Sequence, residues 1–535
     1  MFNFGIKINL MKRIITLCLL AFTAIAQAQN FEWLETIDID FDLNPDMINY
    51  STATDVQGNI YMAGIKDNIS FNCVDLMGGL ILNKYNATGA LMYSKQFTGT
   101  GAVFSIMTDN TGNIVMALGY TSSITIGTTT LTAQEFVPNF SIVKLDTQGN
   151  YLWHSQLIME NTEEWDVVSS FRSLTIDSNN NIYVGYDNFF NSFVAKYSAT
   201  GEKLLVIDQL QTSRVTSVSV DSAGNIYAAG SCAGAMSSFA GVEVPAPSEM
   251  TYNTYLVKYN SSGEYQWIKF VNDITCPEAQ VIAYSPDIIY FSSFLWQATQ
   301  FDDIQTEGPM NSFGDFFLAK INGEGIYQWV SEVPGDTGEF TLASKNFLHI
   351  DASGNPYIIG RARRDINWTQ DITTNIEGFS ADAIVVKYNP EGQVVMAKTA
   401  GALDFDDRFD GISTNAEGDI FLSGVVTGGT VLFDDIERVY PNWETVPFLT
   451  KIAHEALSVN IPQSNITALY PNPATNHIYI SNMIPGTKGS IYNTIGQRVM
   501  DFTITNDTPI NVDELSAGTY LVKPEGQKAI QFIKY

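Results

Sequence analysis

Residues 221–230 read DSAGNIYAAG, and variants of this phrase punctuate most of the chain. DVQGNIYMAG begins at Asp55, DNTGNIVMALG at Asp109, DSNNNIYVG at Asp177, DASGNPYIIG at Asp351 and NAEGDIFLSG at Asn415. A degraded copy, YSPDIIYFSS, begins at Tyr284. A second phrase follows each: ILNKYNATG, IVKLDTQG, FVAKYSATG, YLVKYNSSG, FLAKINGEG and IVVKYNPEG. Its lysines are Lys84, Lys144, Lys196, Lys258, Lys320 and Lys387; Lys451, in FLTKIAH, lacks the turn glycine. Four residues past each turn glycine comes a large apolar side chain: Tyr93, Trp153, Leu205, Trp267, Trp329 or Met396.

These runs alternate with period two, the signature of strands. Asp-x-x-Gly and Asn-x-x-Gly supply tight turns, because Gly tolerates positive φ and Asp or Asn bonds its own backbone. The unit is therefore four short strands, repeated seven times. The last repeat has no fourth strand after Lys451. Phe31-Glu32-Trp33-Leu34 resembles the missing piece, YQWIKF or YQWVSEV. A ring closes in this way, and an open stack has no need of it. The expected fold is all-β: a seven-bladed β-propeller over residues 29–453, closed by its N-terminal strand. The phrases resemble the repeats of secreted bacterial seven-bladed propellers, with their D-x-x-G-N-x-Y-x-x-G and K-Y-x-x-x-G pattern. That resemblance implies a fold and no particular function. The seven repeat lysines are read as structural, pairing with acids at blade edges or the channel.

Of 535 residues, 45% are hydrophobic and only 16% charged, so the chain folds rather than staying disordered. Asp and Glu outnumber Lys and Arg 57 to 28, a net charge of −29. No run of Lys or Arg occurs, which excludes nucleic acid as a partner. Met11-Lys12-Arg13, the apolar run Ile14–Ile25 and Ala26-Gln27-Ala28 read as a secretory signal peptide over residues 1–28. Met11 is read as the true start, and cleavage is expected between Ala28 and Gln29. No other run is long and apolar enough to span a membrane. Cys73, Cys232 and Cys276 would remain, an odd count that excludes a disulfide scaffold. Cys232 and Cys276 fall at one end of the same repeat, where a disulfide would require the loops to bend together.

Between second and third strands, several repeats carry an insertion with the look of a hairpin, such as ITIGTTTL at Ile124, TQFDDIQT at Thr299 and VLFDDIER at Val431. These loops share an end with the crossings to the next repeat, which makes that end the candidate binding face. The alternative is that the hairpins only cover blade edges. Asp302, Asp303, Asp404, Asp406, Asp407, Asp434 and Asp435 fall on this face. Clustered carboxylates are the ligands Ca²⁺ takes, so the first candidate metal ligands are Asp302, Asp303, Asp406, Asp407, Asp434 and Asp435. No other cofactor is indicated.

After residues 454–466, read as a linker, come LYPNPA from Leu469, GSIYNTIGQRVMDF from Gly489, DELSAGTYLVK from Asp513 and AIQFIKY. Residues 467–535 resemble the C-terminal sorting domain of the type IX secretion system, type A, through Tyr470, Pro471, Asn472, Pro473, Gly496, Gly518 and Tyr520. Gly496 and Gly518 are expected to supply turns in a small immunoglobulin-like β-sandwich. The resemblance implies export across the outer membrane by that machinery, removal by a sortase-like protease, release or attachment at the surface, and a Bacteroidota source. Pro524 stands where the family keeps an unbroken strand, which predicts an irregular last hairpin.

His154, His349, His454 and His477 are not spaced as metal ligands, and no G-x-S-x-G elbow occurs. The Trp residues recur as scaffold and read as core rather than a cofactor box. No catalytic residue is assigned. The leading reading is an exported, non-catalytic module that binds a glycan or a surface protein. The alternatives are a polysaccharide hydrolase or lyase using the acids of the decorated face, and a structural surface-layer protein.

Overall fold

A computed structural model describes residues 29–37, 50–65, 79–133, 138–159, 167–188, 190–232, 236–245, 247, 253–271, 278–309, 314–335, 338–376, 380–402, 405–454, 469–480, 486–494, 496–505, 509–524 and 529–535. The expected signal peptide, Cys73, Cys276, Asp404 and most of the expected linker lie outside them. Every regular element among the described residues is a β-strand. The chain divides into two compact units, Met1–His454 and Glu455–Tyr535.

In the first unit each repeat becomes an antiparallel group of four. Arg214–Val220 pairs with Ile226–Cys232, that strand with Asn253–Tyr259, and that with Tyr265–Val271. Some groups share a long strand: the first half of Leu91–Thr108 is the outer strand of one group, the second half the inner strand of the next. The inner strands begin at Ser51, Ala102, Ser170, Arg214, Gln280, Leu348 and Arg408.

Inner strands of neighbouring groups do not form ladders with each other, so side chains satisfy the junctions. In chain order, Thr108 donates to the Thr54 carbonyl (2.8 Å), Asn110 to that of Ser178 (2.7 Å), and the Val218 N–H to Ser173 (2.6 Å). Thr216 then donates to the Ala279 carbonyl (2.6 Å), and the Leu348 N–H to Gln280 (2.9 Å). His349 meets Thr414 (2.9 Å), and Ser413 returns to Thr54 (2.7 Å). The groups thus form a closed, propeller-like circuit around an axial channel.

The N-terminal strand Phe31–Thr36 is the outer strand of the last group, paired from Phe31 opposite Ile452 to Thr36 opposite Phe448 with one register shift between Phe31 and Trp33. The repeat's turn glycines explain why it fits. Gly89, Gly201, Gly325 and Gly392 adopt positive φ, and each lies under the indole of the preceding group: Trp33, Trp153, Trp267 and Trp329. A Cβ on Gly89 would stand 2.9 Å from the Trp33 ring. Trp33 therefore does at the closure what the other tryptophans do between consecutive groups.

The repeat lysines join neighbours in the same way. Lys258 donates to the Gly323 carbonyl (2.9 Å) and Lys320 to that of Pro390 (2.9 Å), each in the next group's turn. Lys144 also pairs with Asp109 of its own group at 2.8 Å, both side chains nearly sequestered. Burial alone would raise the Asp109 carboxyl, but hydrogen bonds from Lys144, Thr111 and Asn113 outweigh it and hold it at about 2. Lys144→Met leaves that carboxylate without its cation. The expected loss is about 3 kcal/mol or more, read as a fall in the chemical-denaturation midpoint; an unchanged midpoint would contradict the role.

The second unit is a pair of small sheets. One joins Leu469–Tyr470, His477–Ile480 and Ile510–Asn511; the other orders Arg498–Thr503, Lys488–Asn493, Gly518–Pro524 and Ile530–Lys534. Ile478, Ile491, Val512, Val522 and Phe532 form the centre of its core. The Tyr470–Pro471 and Asn472–Pro473 peptides are cis. Gly496, at φ +80°, closes the Asn493 turn. Gly518 does not make a turn as expected: it opens a strand opposite Lys534, because the chain reverses earlier, at 513–516. Tyr520 packs on Phe532 and donates to the Ser516 carbonyl at 2.8 Å. Pro524 does not interrupt the described pairing of the last two strands, because it occupies the final position of its strand, beyond the Val522–Ile530 pair.

Candidate functional site

Among the described residues insertions form hairpins, and each one that pairs with another group does so with the outer strand of the preceding group. Phe239 lies opposite Gln209, Leu432 opposite Gly401, and Thr125 opposite Thr98. They therefore cover edges that would otherwise present unpaired backbone. Asp302 and Asp434 are the first tip residues of two of these hairpins, at φ +49° and +50°, a conformation Asp adopts more readily than most side chains. Asp302 pairs with Lys269 at 2.8 Å and Asp434 with Lys398 at 2.7 Å, both lysines on the strand being covered. Asp434 also accepts the Phe31 N–H at 3.0 Å. Asp303 and Asp435 point outward at the same tips.

Asp406 pairs with Arg363 at 2.7 Å and accepts the Ala381 N–H. Asp407 is fully buried and accepts the N–H groups of Thr427 (2.7 Å) and Ala402 (2.6 Å). The six acids thus belong to different groups of strands or to backbone caps. Among the described residues no three His, Cys, Asp or Glu side chains converge as a metal site would require. Cys232 is buried and carries a free thiol, with its Sγ 3.7 Å from the Asn253 carbonyl; Cys276, its proposed partner, is not among the described residues.

Burial changes several carboxyls at this end. It raises Asp187 to about 6, Asp315 to about 7 and Asp382 to about 6, and pushes Asp407 well above the usual range. Each holds its proton more tightly folded than unfolded. Their contribution is complete below about pH 4 and is lost as pH rises through 6–7. Asp109 and the other lowered carboxyls act oppositely and fail only in stronger acid. The melting temperature should therefore be higher at pH 5.5 than at pH 8, by roughly 5 °C. A scan that is flat or rises toward pH 8 would contradict these assignments.

The axial channel offers a different kind of site. Its cavity, about 390 Å³, is lined by residues of every inner strand, and five of those strands contribute hydroxyls, including Thr54, Ser105, Ser173, Ser217 and Ser413. Most of these hydroxyls make the junction bonds. His349 also faces it; burial lowers its imidazole to about 4, partly offset by Asp351, so it is neutral at ordinary pH.

Near the hairpin-bearing end, most inner strands carry a β-bulge, which re-aims one residue. The bulged residues include Phe104, Arg172, Thr216 and Asp410. Two of them, Arg172 and Phe104, meet side chains of groups that are not their neighbours. Arg172 pairs with Glu278, two groups away, at 2.8 Å. Lys345 stands 4.6 Å from the centre of the Phe104 ring, a group on the far side of the circuit. Arg408 holds Asp410 at 2.8 Å. Burial raises Glu278, opposed by the charges of Arg172, Arg214 and Lys345; burial raises Asp410, opposed by Arg408, Lys345 and Arg361. Five cations from four groups (Arg172, Arg214, Lys345, Arg361 and Arg408) thus share one mouth with Asp187, Glu278, Asp410 and Asp406, the last 3.6 Å from Arg361.

Sequence reasoning missed this mouth. Its signal was the fifth residue ahead of the repeat Asp or Asn: Phe104, Arg172, Thr216 and Asp410 all hold that place. Read along the chain they look like unrelated single residues.

No curated protein matches the chain. Similar solved structures include a protein of unknown function from Bacteroides caccae, with 14% identity over 56% of this chain and 93% of that one, at TM-score 0.30. Others are the Dos1 propeller (8%, 75% and 92%, 0.38) and virginiamycin B lyase from Staphylococcus aureus (10%, 78% and 99%, 0.36). Residues 468–534 match the secretion system C-terminal sorting domain, so this segment directs the chain out through the type IX machinery, to the cell surface or beyond.

Proposed function

We propose that the chain is an exported binding module: a seven-bladed β-propeller over residues 29–453 that captures a glycan or a surface protein without transforming it. In this reading residues 1–28 are cleaved after Ala28, residues 454–466 are the linker, and residues 467–535 are an immunoglobulin-like, type A sorting domain. The junction bonds and the Trp33 closure support the blade count. The observation that carries the binding role is the axial mouth, where charged and aromatic side chains from distant groups are gathered on the exported unit.

A glycan and surface-protein array probed with the full mature chain, with and without Ca²⁺, tests this. Reproducible capture is expected. Silence on every spot would overturn it in favour of a structural surface protein. Capture that requires Ca²⁺ would return the hairpin-tip acids to a binding role.

A further inference from the structure

We propose that the axial mouth is a binding site for a carboxylate-bearing saccharide, such as a uronic-acid chain end, held by Arg172, Arg214, Lys345 and Arg408. This deepens the binding role above and rests on it. The chain carries −29 overall, yet cations outnumber acids at this mouth. An acidic protein has no solubility reason to gather five cations in one partly buried place, where each loses hydration. An anion there repays that cost.

Guanidinium forks match planar carboxylates through two parallel hydrogen bonds, which a lone ammonium cannot do. Among the described residues no hydrogen bond or ion pair engages the Arg214 guanidinium, though it lies in the field of Asp187 and Glu278. Asp410 is 1% exposed and Asp187 4%, yet one carboxylate oxygen of each, Asp410 Oδ2 and Asp187 Oδ2, has no partner. A buried acceptor without a donor costs about 1–3 kcal/mol. Ligand hydroxyls beside the carboxylate supply those donors. Phe104 gives an apolar surface.

The test is calorimetric titration of the full mature chain with trigalacturonate, its neutral galactose counterpart and citrate. Trigalacturonate should bind, more weakly as salt rises, and the neutral trimer should not. Arg214→Gln and Lys345→Gln should each weaken binding about tenfold or more, while Glu243→Gln, on an exposed hairpin, should not. Melting curves of each variant separate lost binding from lost fold. Citrate bound as tightly as the saccharide, equal binding of the neutral trimer, or variants that fold and bind normally would overturn the proposal. If the array shows capture that these variants leave intact, the site is wrong and the binding function stands. If nothing is captured at all, both fall.

Discussion

Removing residues 29–36 should prevent the first unit from folding stably, with a loss of at least about 5 kcal/mol. The segment is short, but it holds the last strand of the ring. Phe31 and Leu34 are buried, and the Phe31 ring meets Phe433 edge-on at 5.2 Å between centroids. Losing each such side chain costs about 2–5 kcal/mol. Its removal also bares the edge of Ile436–Ile452 and uncovers Gly89 on the neighbouring group, so aggregation is expected alongside destabilisation. The milder Trp33→Ala should cost roughly 3 kcal/mol and act on the same cooperative transition. Denaturation curves settle the point. A truncated chain that melts like the intact one would mean the ring does not depend on its N-terminal strand.

The second large effect concerns export. Deleting residues 468–535 removes the matched sorting domain and should trap the chain inside the outer membrane, with the first unit still folded. Cell fractionation and surface protease accessibility read this directly. Equal surface exposure with and without the segment would contradict the assignment. A point change should mimic it in part. Val522 and Phe532 are fully buried in the small core, so Phe532→Ala should cost about 3–5 kcal/mol in that unit and lower the surface fraction.

The repeat was legible because each copy spends its residues on local chemistry. Asp221 accepts the N–H groups of Ala223 and Asn225 and the Tyr227 hydroxyl, all within six positions. Such bonds leave a fixed pattern in the sequence. The closure was legible for a related reason: the Trp of Phe31-Glu32-Trp33-Leu34 lies on a turn glycine, as Trp153, Trp267 and Trp329 do at three other junctions. The acids of the hairpin tips were ambiguous because Asp-Asp also suits a left-handed tip and a lysine on the neighbouring strand. Composition could not separate that use from metal binding. The charged mouth was invisible because its partners are far apart in sequence, Arg172 with Glu278 and Phe104 with Lys345, and because bulges decide which residue turns inward. The absence of basic runs argued against nucleic acid as a partner, but it did not reveal that isolated cations meet on the axis.

The most direct test of the account is to hold a captured acidic polymer on the full mature chain for many hours and measure its chain length by mass spectrometry. A binding module returns the polymer at its original length and amount. Progressive shortening, with new reducing or unsaturated ends, would contradict the account and make the axial mouth an active site.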